Sequence, residues 1–196
     1  DGVLVLELPG YENYVQELEE DGLPCVLVGL PPSQPSIKAV YADEVDAGCM
    51  AARYLLDLGH QRIAFAANAP TSRYLQDRYT GYQQAYAAAG LATTGLDYWI
   101  VDVDQALAVE RLSEVTALIL GNEATAQRVL PALRETGMHI PDDLSILMFD
   151  DTELAHSHQP PITTVAYPLV EQGRWGVRML IDCLREPTQC DRTTVM

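Results

Sequence analysis

Short apolar runs alternate with segments of helical periodicity along almost the whole chain. The clearest helical pattern ends at Gly59, and its apolar side chains lie mostly three or four positions apart, at Ala47, Met50, Ala51, Tyr54, Leu55 and Leu58. Apolar runs predict strands or extended segments at 3–8, 24–29, 38–42, 62–67, 98–101, 116–121, 144–149 and 162–166. Further helical patterns occupy 11–21, 76–89, 105–113, 124–135 and 169–184. Strands that alternate with helices of this length predict parallel βαβ units, so the expected fold class is α/β.

Composition and charge narrow the possible binding partners. The chain of 196 residues is 48% hydrophobic and 20% charged, which is typical of a globular α/β protein. It has 28 acidic and 12 basic residues, and a net charge of −16 repels phosphate groups. No apolar run reaches the roughly 18 residues that a membrane helix needs. We therefore expect that these residues by themselves bind neither DNA nor a membrane.

The four cysteines lie apart, with neither a C-x-x-C pair nor a metal-ligand spacing, at Cys25, Cys49, Cys183 and Cys190. Scattered, unpaired thiols are typical of a reducing compartment, so we predict a cytoplasmic protein. The sequence opens at Asp1, without Met and already inside a strand pattern. We expect from this that an N-terminal segment is missing.

Polar residues follow three of the predicted strands. Asn122 and Asp150 come directly after the sixth and the seventh strand, and Arg78 follows the long loop after the fourth. Ligands of an open parallel sheet bind beyond the carboxyl ends of its strands, so we expect these three side chains at one edge. A carboxylate, a guanidinium and an amide can together bracket neighbouring hydroxyl groups. The sequence therefore predicts a cleft for a small molecule.

Each of the three residues also has a simpler interpretation. Asn122 could be only the N-cap of the helix that follows it. Asp150 could cap a turn, and Arg78 could be a surface cation paired with Asp77. The residues alone leave these alternatives open.

Five motifs, in order along the chain, resemble the LacI/GalR family of transcription regulators. They are DEVDAGCMAARYLLDLGHQRIA at 43–64, Arg78-x-x-Gly81-Tyr82 with Ala89-Gly90, Ile119–Ala124, Pro141–Ile146 with Phe149-Asp150-Asp151, and Pro160–Val165 with Pro168 and Gly173-Arg174. The resemblance covers about residues 1–187. It implies an effector-binding domain of the periplasmic-binding-protein type I fold, in which two Rossmann-like lobes with parallel sheets are joined by crossover strands.

The resemblance also implies a domain division. The N-terminal lobe would comprise residues 1–42 and 165–187, the C-terminal lobe 43–164, and the tail 188–196 a possible third crossover. The first lobe would be incomplete, because family members have two further βα units before the position of Val3. An incomplete lobe leaves an apolar sheet edge exposed.

By the same resemblance, Arg78, Asn122 and Asp150 match the three main polar contacts of the effector. We expect Arg78 to serve the effector and not the stability of the fold. Weaker candidates are Tyr167, Tyr11 in the turn with Pro9 and Gly10, and Val103, which stands where many sugar-binding members have an aromatic ring. The departure at Val103 leaves the identity of the effector open.

The implied function is that of an effector sensor for a transcription repressor. A small sugar-like ligand would bind between the lobes, and closure would act on operator DNA through a missing N-terminal helix-turn-helix in a homodimer. The alternative is a periplasmic sugar-binding protein of a transport system. Leu58-Gly59-His60, the Pro160–Thr164 motif and the unpaired cysteines favour the repressor.

An enzyme is the third class of function that the sequence could encode. The sequence has no G-x-G-x-x-G after its first strand, no P-loop and no G-x-S-x-G, so we predict neither catalysis nor a cofactor. His156 and His158 near Asp150 could suggest a metal site, but they fall in a predicted turn, where alternate side chains do not share a face. We therefore predict no metal.

Overall fold

Strands and helices alternate throughout the residues that the computed structural model describes, which are 1–6, 11–32, 36–68, 72–93, 98–100, 112–185 and 193–194. The strands are β1 Val3–Leu6, β2 Cys25–Val28, β3 Ala39–Tyr41, β4 Ile63–Ala67, β5 Tyr98–Ile100, β6 Ala117–Leu120, β7 Ser145–Phe149, β8 Thr163–Val165 and β9 Thr193–Thr194. The helices are α1 Tyr11–Glu20, α2 Glu44–Asp57, α3 Arg73–Ala88, α4 Glu123–Glu135, α5 Glu153–Ser157 and α6 Leu169–Arg185. All strand pairs in these ranges are parallel, which confirms the predicted α/β class.

The chain divides into two units, each with its own sheet. Unit 1 consists of Asp1–Asp43 and Tyr167–Met196, and unit 2 of Glu44–Ala166. The sheet of unit 1 has the order β1-β2-β3-β9, and that of unit 2 has the order β5-β4-β6-β7-β8.

The sheet of unit 2 is covered on both faces. Residues of β4, β6 and β7 are buried almost without exception, as expected for parallel strands between helices. One face packs on the apolar side of α4, through Ala126, Val129, Leu130 and Leu133. The opposite face carries aromatic rings of β4, β7 and α3, which lie 4.6–6.4 Å apart by ring centroid: Phe65, Phe149, Tyr79, Tyr82 and Tyr86.

Helices α2 and α3 of unit 2 approach each other to backbone contact. A Cβ atom added to Gly48 would lie 1.9 Å from the carbonyl oxygen of Arg78, and one added to Gly81 would lie 1.9 Å from that of Val45. Each helix therefore needs glycine where it meets the backbone of the other. The end of α2 is as predicted, because Gly59 has φ 93°, a left-handed conformation that glycine adopts without strain.

In unit 1, helices cover both faces of the sheet. Val5, Cys25, Leu27 and Ala39 pack with Val15 of α1 on one face. On the other face the cluster with α6 contains Val26, Val28, Val40, Met179 and Cys183.

The cysteines differ from the prediction of four unpaired thiols. Cys25 and Cys49 are free, but Cys183 is disulfide-bonded. The prediction was therefore wrong for Cys183, and cysteine usage no longer argues for one compartment over another. Among the described helices, none combines the length and apolar character that crossing a bilayer requires.

Two elements differ from the sequence prediction. Helix α3 starts at Arg73, three residues earlier than expected. The prediction started the helix at 76, but the apolar face of the helix already includes Leu75, which is fully buried. Helix α5 lies in a stretch that was expected to be a polar turn. At five residues it is too short to show a helical repeat. The helix expected at 105–113 lies outside the described residues except for its last two positions.

We expect Gly48→Ala to destabilise the protein by about 1–3 kcal/mol or more, because its Cβ would meet backbone that cannot rotate away. Chemical denaturation measures the loss. Gly173→Ala in α6 is the control, since an added Cβ there meets nothing within 4 Å and should leave stability unchanged or raise it by up to about 1 kcal/mol. Equal stability of the two variants would contradict the backbone contact.

Candidate functional site

The three residues that sequence reasoning selected lie together at the carboxyl edge of the unit 2 sheet. Nη2 of Arg78 lies 3.9 Å from Oδ1 of Asp150. Tyr74, four residues before Arg78 on α3, joins the third member: its hydroxyl accepts a 2.8 Å hydrogen bond from Nδ2 of Asn122. The guanidinium carbon of Arg78 lies 4.8 Å from the centroid of the Tyr74 ring, so the four side chains form one connected network.

Arg78 is held from several sides. Its side chain is 5% exposed, and it forms a fork to Glu44, with Nε to Oε2 at 2.7 Å and Nη2 to Oε1 at 3.3 Å. Nη1 donates to the carbonyl oxygen of Gly121, at the end of β6. The guanidinium also lies over the Phe149 ring, 4.4 Å from its centroid, where a cation is attracted to the aromatic face.

This geometry corrects two expectations about Arg78. The alternative partner Asp77 pairs instead with Arg73, at 3.7 Å and on the surface. Glu44 is 7% exposed and forms the fork with Arg78, so we expect loss of the guanidinium to destabilise the fold, contrary to the expectation from the sequence. Buried charges are tolerated when they are paired, and removal of one partner is costly.

Asn122 is the N-cap of α4, as its simpler interpretation proposed. Its Oδ1 accepts hydrogen bonds from the backbone N–H of Thr125 at 2.8 Å and from the Thr125 hydroxyl at 2.6 Å. Its Nδ2 donates to Oδ1 of Asn68 at 3.0 Å as well as to Tyr74. The cap therefore holds the amide against Tyr74, and the role of Asn122 in effector binding stays a prediction.

Asp150 is the accessible member of the network, with 37% of its side chain exposed. It has φ 73°, and its N–H donates to the carbonyl oxygen of Val165 at 3.2 Å. Burial raises the pKa of the Asp150 carboxyl, against the lowering effects of Arg78 and of a hydrogen bond from the backbone N–H of Glu123. The carboxylates of Glu44 and Glu123 raise this pKa further.

The weaker candidates belong to other parts of the chain. Tyr167 and Tyr11 are in unit 1, where Tyr11 is the first residue of α1 and Tyr167 precedes α6. Val103, Pro9 and Gly10 lie outside the described residues. The roles of these five residues stay predictions.

The two histidines near Asp150, His156 and His158, contact different partners. Nε2 of His156 lies 3.2 Å from Oδ1 of Asp151, which also accepts a 2.9 Å hydrogen bond from the Thr164 hydroxyl. Nδ1 of His158 lies 2.7 Å from the carbonyl oxygen of Pro160. In the described part of the chain, no group of three or more His, Cys, Asp or Glu residues could hold a metal ion.

Sequence reasoning missed Glu44 and Tyr74. The position of Tyr74 could have been found, because residues four apart on a helix lie on the same face, and Arg78 was already a candidate. Glu44 gives no such signal, since an acidic residue in the first turn of a helix is usually exposed and favoured there by the helix dipole.

Comparisons with known proteins agree on one family. Residues 52–196 match the family model described as periplasmic binding protein-like domain. The HTH-type transcriptional regulator CelR of Thermobifida fusca is 31% identical over an alignment of length 191, which covers 93% of this chain and 56% of that protein. Catabolite control protein A of Priestia megaterium is 30% identical over an alignment of length 200, which covers 96% of this chain and 59% of that protein.

Solved structures give the same result. The transcriptional regulator CelR in complex with cellobiose superposes with a TM-score of 0.86 at 29% identity, over 100% of this chain and 62% of that one. A LacI-family regulatory protein from Chloroflexus aggregans gives a TM-score of 0.82 at 28% identity, over 100% and 73% of the respective chains. The chain spans less than two thirds of the length of the two curated relatives. CelR is described as a transcriptional regulator, and the protein from Chloroflexus aggregans as a regulatory protein.

Arg78→Met should destabilise unit 2 by about 3–5 kcal/mol, because Glu44 is left as a buried carboxylate without its counterion. The double variant Glu44→Gln with Arg78→Met should lose less, since it removes both charges. Urea denaturation compares the two variants. A single variant as stable as the wild type would show that Glu44 does not depend on Arg78.

Asp150→Asn should raise the melting temperature at pH 7. A raised pKa means that the folded protein binds a proton at Asp150 more readily than the unfolded chain does, so the carboxylate lowers stability as the pH rises above about 4. Asparagine also tolerates the positive φ. Thermal denaturation between pH 4 and 7 should show the gain shrinking towards pH 4, and a loss of stability at pH 7 would refute the assignment.

Proposed function

The chain belongs to the periplasmic binding protein-like family, in the form found in LacI-family transcription regulators, and on this premise we propose that it is the effector-sensing domain of a transcription repressor. The observation that carries the proposal is the network of Arg78, Tyr74, Asn122 and Asp150 at the carboxyl edge of the unit 2 sheet. Small ligands of parallel α/β sheets bind at such an edge.

The chemistry of the network suits a ligand with several hydroxyl groups. The half-exposed carboxylate of Asp150 accepts hydrogen bonds from two neighbouring hydroxyls, and the guanidinium behind it fixes the direction in which the carboxylate faces. The rings of Tyr74 and Phe149 beside Arg78 add apolar surface of the kind that ligand pockets combine with a few polar groups. A sugar-like effector satisfies both requirements.

Regulation follows from differential affinity. We propose Tyr167, Tyr11 and Val103 as further contacts of the effector. An effector that binds one of two conformations of the sensor more tightly shifts the population towards that conformation, and this shift is the signal that a repressor needs.

We assign operator binding to a helix-turn-helix segment outside these 196 residues. The net charge of −16 disfavours contact with DNA, and the relative CelR is described as an HTH-type transcriptional regulator. A homodimer in the cytoplasm is the assembly that this role calls for, because two-fold symmetric regulators match palindromic operators. The regulator relatives favour this role over that of a transport receptor.

A thermal-shift screen with neutral sugars, including cellobiose, glucose and ribose, should identify at least one that raises the melting temperature, since a ligand bound only to the folded state stabilises it. Asp150→Asn should abolish the shift, because it removes the charge and replaces one of the two accepting carboxylate oxygens with an amide donor, so that two neighbouring hydroxyls can no longer both donate to this side chain. Asp142→Asn, an exposed acidic residue elsewhere in unit 2, is the matched control and should respond like the wild type. A panel without any stabilising sugar would refute the sugar-sensing role, and an unchanged response of the Asp150 variant would refute the proposed site.

A further inference from the structure

Two carboxylates contact one guanidinium in the candidate site. The guanidinium of Arg78 lies between two carboxylates, that of Glu44 at 2.7 Å and that of Asp150 at 3.9 Å. One positive and two negative charges leave the group with a net charge of −1. The nearby carboxylate of Glu123 adds to the negative potential at Asp150.

The order in which a ligand meets these charges affects the affinity of the site for anions. Glu44 and Arg78 are buried, whereas Asp150 is the exposed member. An approaching ligand therefore meets a carboxylate first, and the cation behind it is already neutralised by Glu44. Like charges brought together in this way reduce affinity strongly.

The Glu44 carboxylate cannot easily move away from Arg78. Glu44 is the first residue of α2, and Arg78 lies on α3, and the two helices touch at Gly48 and Gly81. Both side chains of the ion pair therefore start from helices that are packed backbone to backbone, which keeps Glu44 within reach of Arg78.

We propose that Glu44 is a specificity-determining residue, which, together with Asp150, makes the site select uncharged polyhydroxyl ligands and exclude anionic ones such as phosphorylated or carboxylated sugars. This inference rests on the proposed function for the location of the site and adds the charge class of its ligand. A purely structural counterion would affect stability only. A specificity-determining carboxylate also sets the charge preference of the site.

The experiment compares the binding of inorganic phosphate to wild type and to Glu44→Gln, by calorimetric titration at constant ionic strength with chloride as the background anion. The wild type should show no saturable binding. Glu44→Gln should gain at least about a tenfold higher affinity, because Arg78 loses its counterion and becomes available to an anion. The added variant Glu44→Gln with Arg78→Met should lose this gain.

Glu135→Gln is the matched control, since it removes the same charge from an exposed position at the end of α4. It should behave like the wild type towards phosphate. If Glu44→Gln does not fold, Asp150→Asn provides the second variant, because it removes the other carboxylate that flanks Arg78 and should also gain phosphate affinity. Saturable phosphate binding by the wild type that depends on Arg78, or no gain in a folded variant, would overturn the proposal.

Glucose and glucose 6-phosphate separate this proposal from the proposed function. Tighter binding of the phosphorylated sugar by the wild type would refute charge selection while leaving the sugar-sensing role intact. A neutral panel without response, together with phosphate binding gained by Glu44→Gln, would refute the sugar-sensing role and support the charge selection.

Discussion

The ion pair between Glu44 and Arg78 connects the architecture of unit 2 to its candidate site. Both groups are buried, and removal of one partner would leave the other as a buried charge without this counterion. The pair exists because α2 and α3 meet at two glycines, which brings the start of one helix beside the middle of the other. From this fixed guanidinium the network extends to the rings of Tyr74 and Phe149 and to the carboxylate of Asp150.

The placement of the candidate residues was largely predictable from the sequence. Alternating strands and helices specify a parallel sheet, and in such a sheet residues that follow different strands converge on one edge. Asn122 and Asp150 were found in this way. The position of Arg78 was harder to predict, because this residue lies inside α3 and reaches the edge of the sheet only through its long side chain.

The chemistry of Arg78 was not predictable, and the reason is physical. Burial of Glu44 depends on the close approach of two helices, which is a tertiary contact that helical periodicity does not report. Gly48 and Gly81 look like ordinary helix residues until their neighbours are known. The short helix α5 was not predicted for a different reason: five residues are too few to show a helical repeat.

The left-handed backbone at Asp150 restricts how this site can diversify. With φ at 73°, the position accepts aspartate, asparagine or glycine readily and penalises larger or branched residues. Under the proposed function, a lineage that changes its effector therefore has few options at the residue that we propose meets the ligand first. Adaptation would proceed instead through neighbours on regular helix, such as Tyr74, where the backbone imposes no comparable limit.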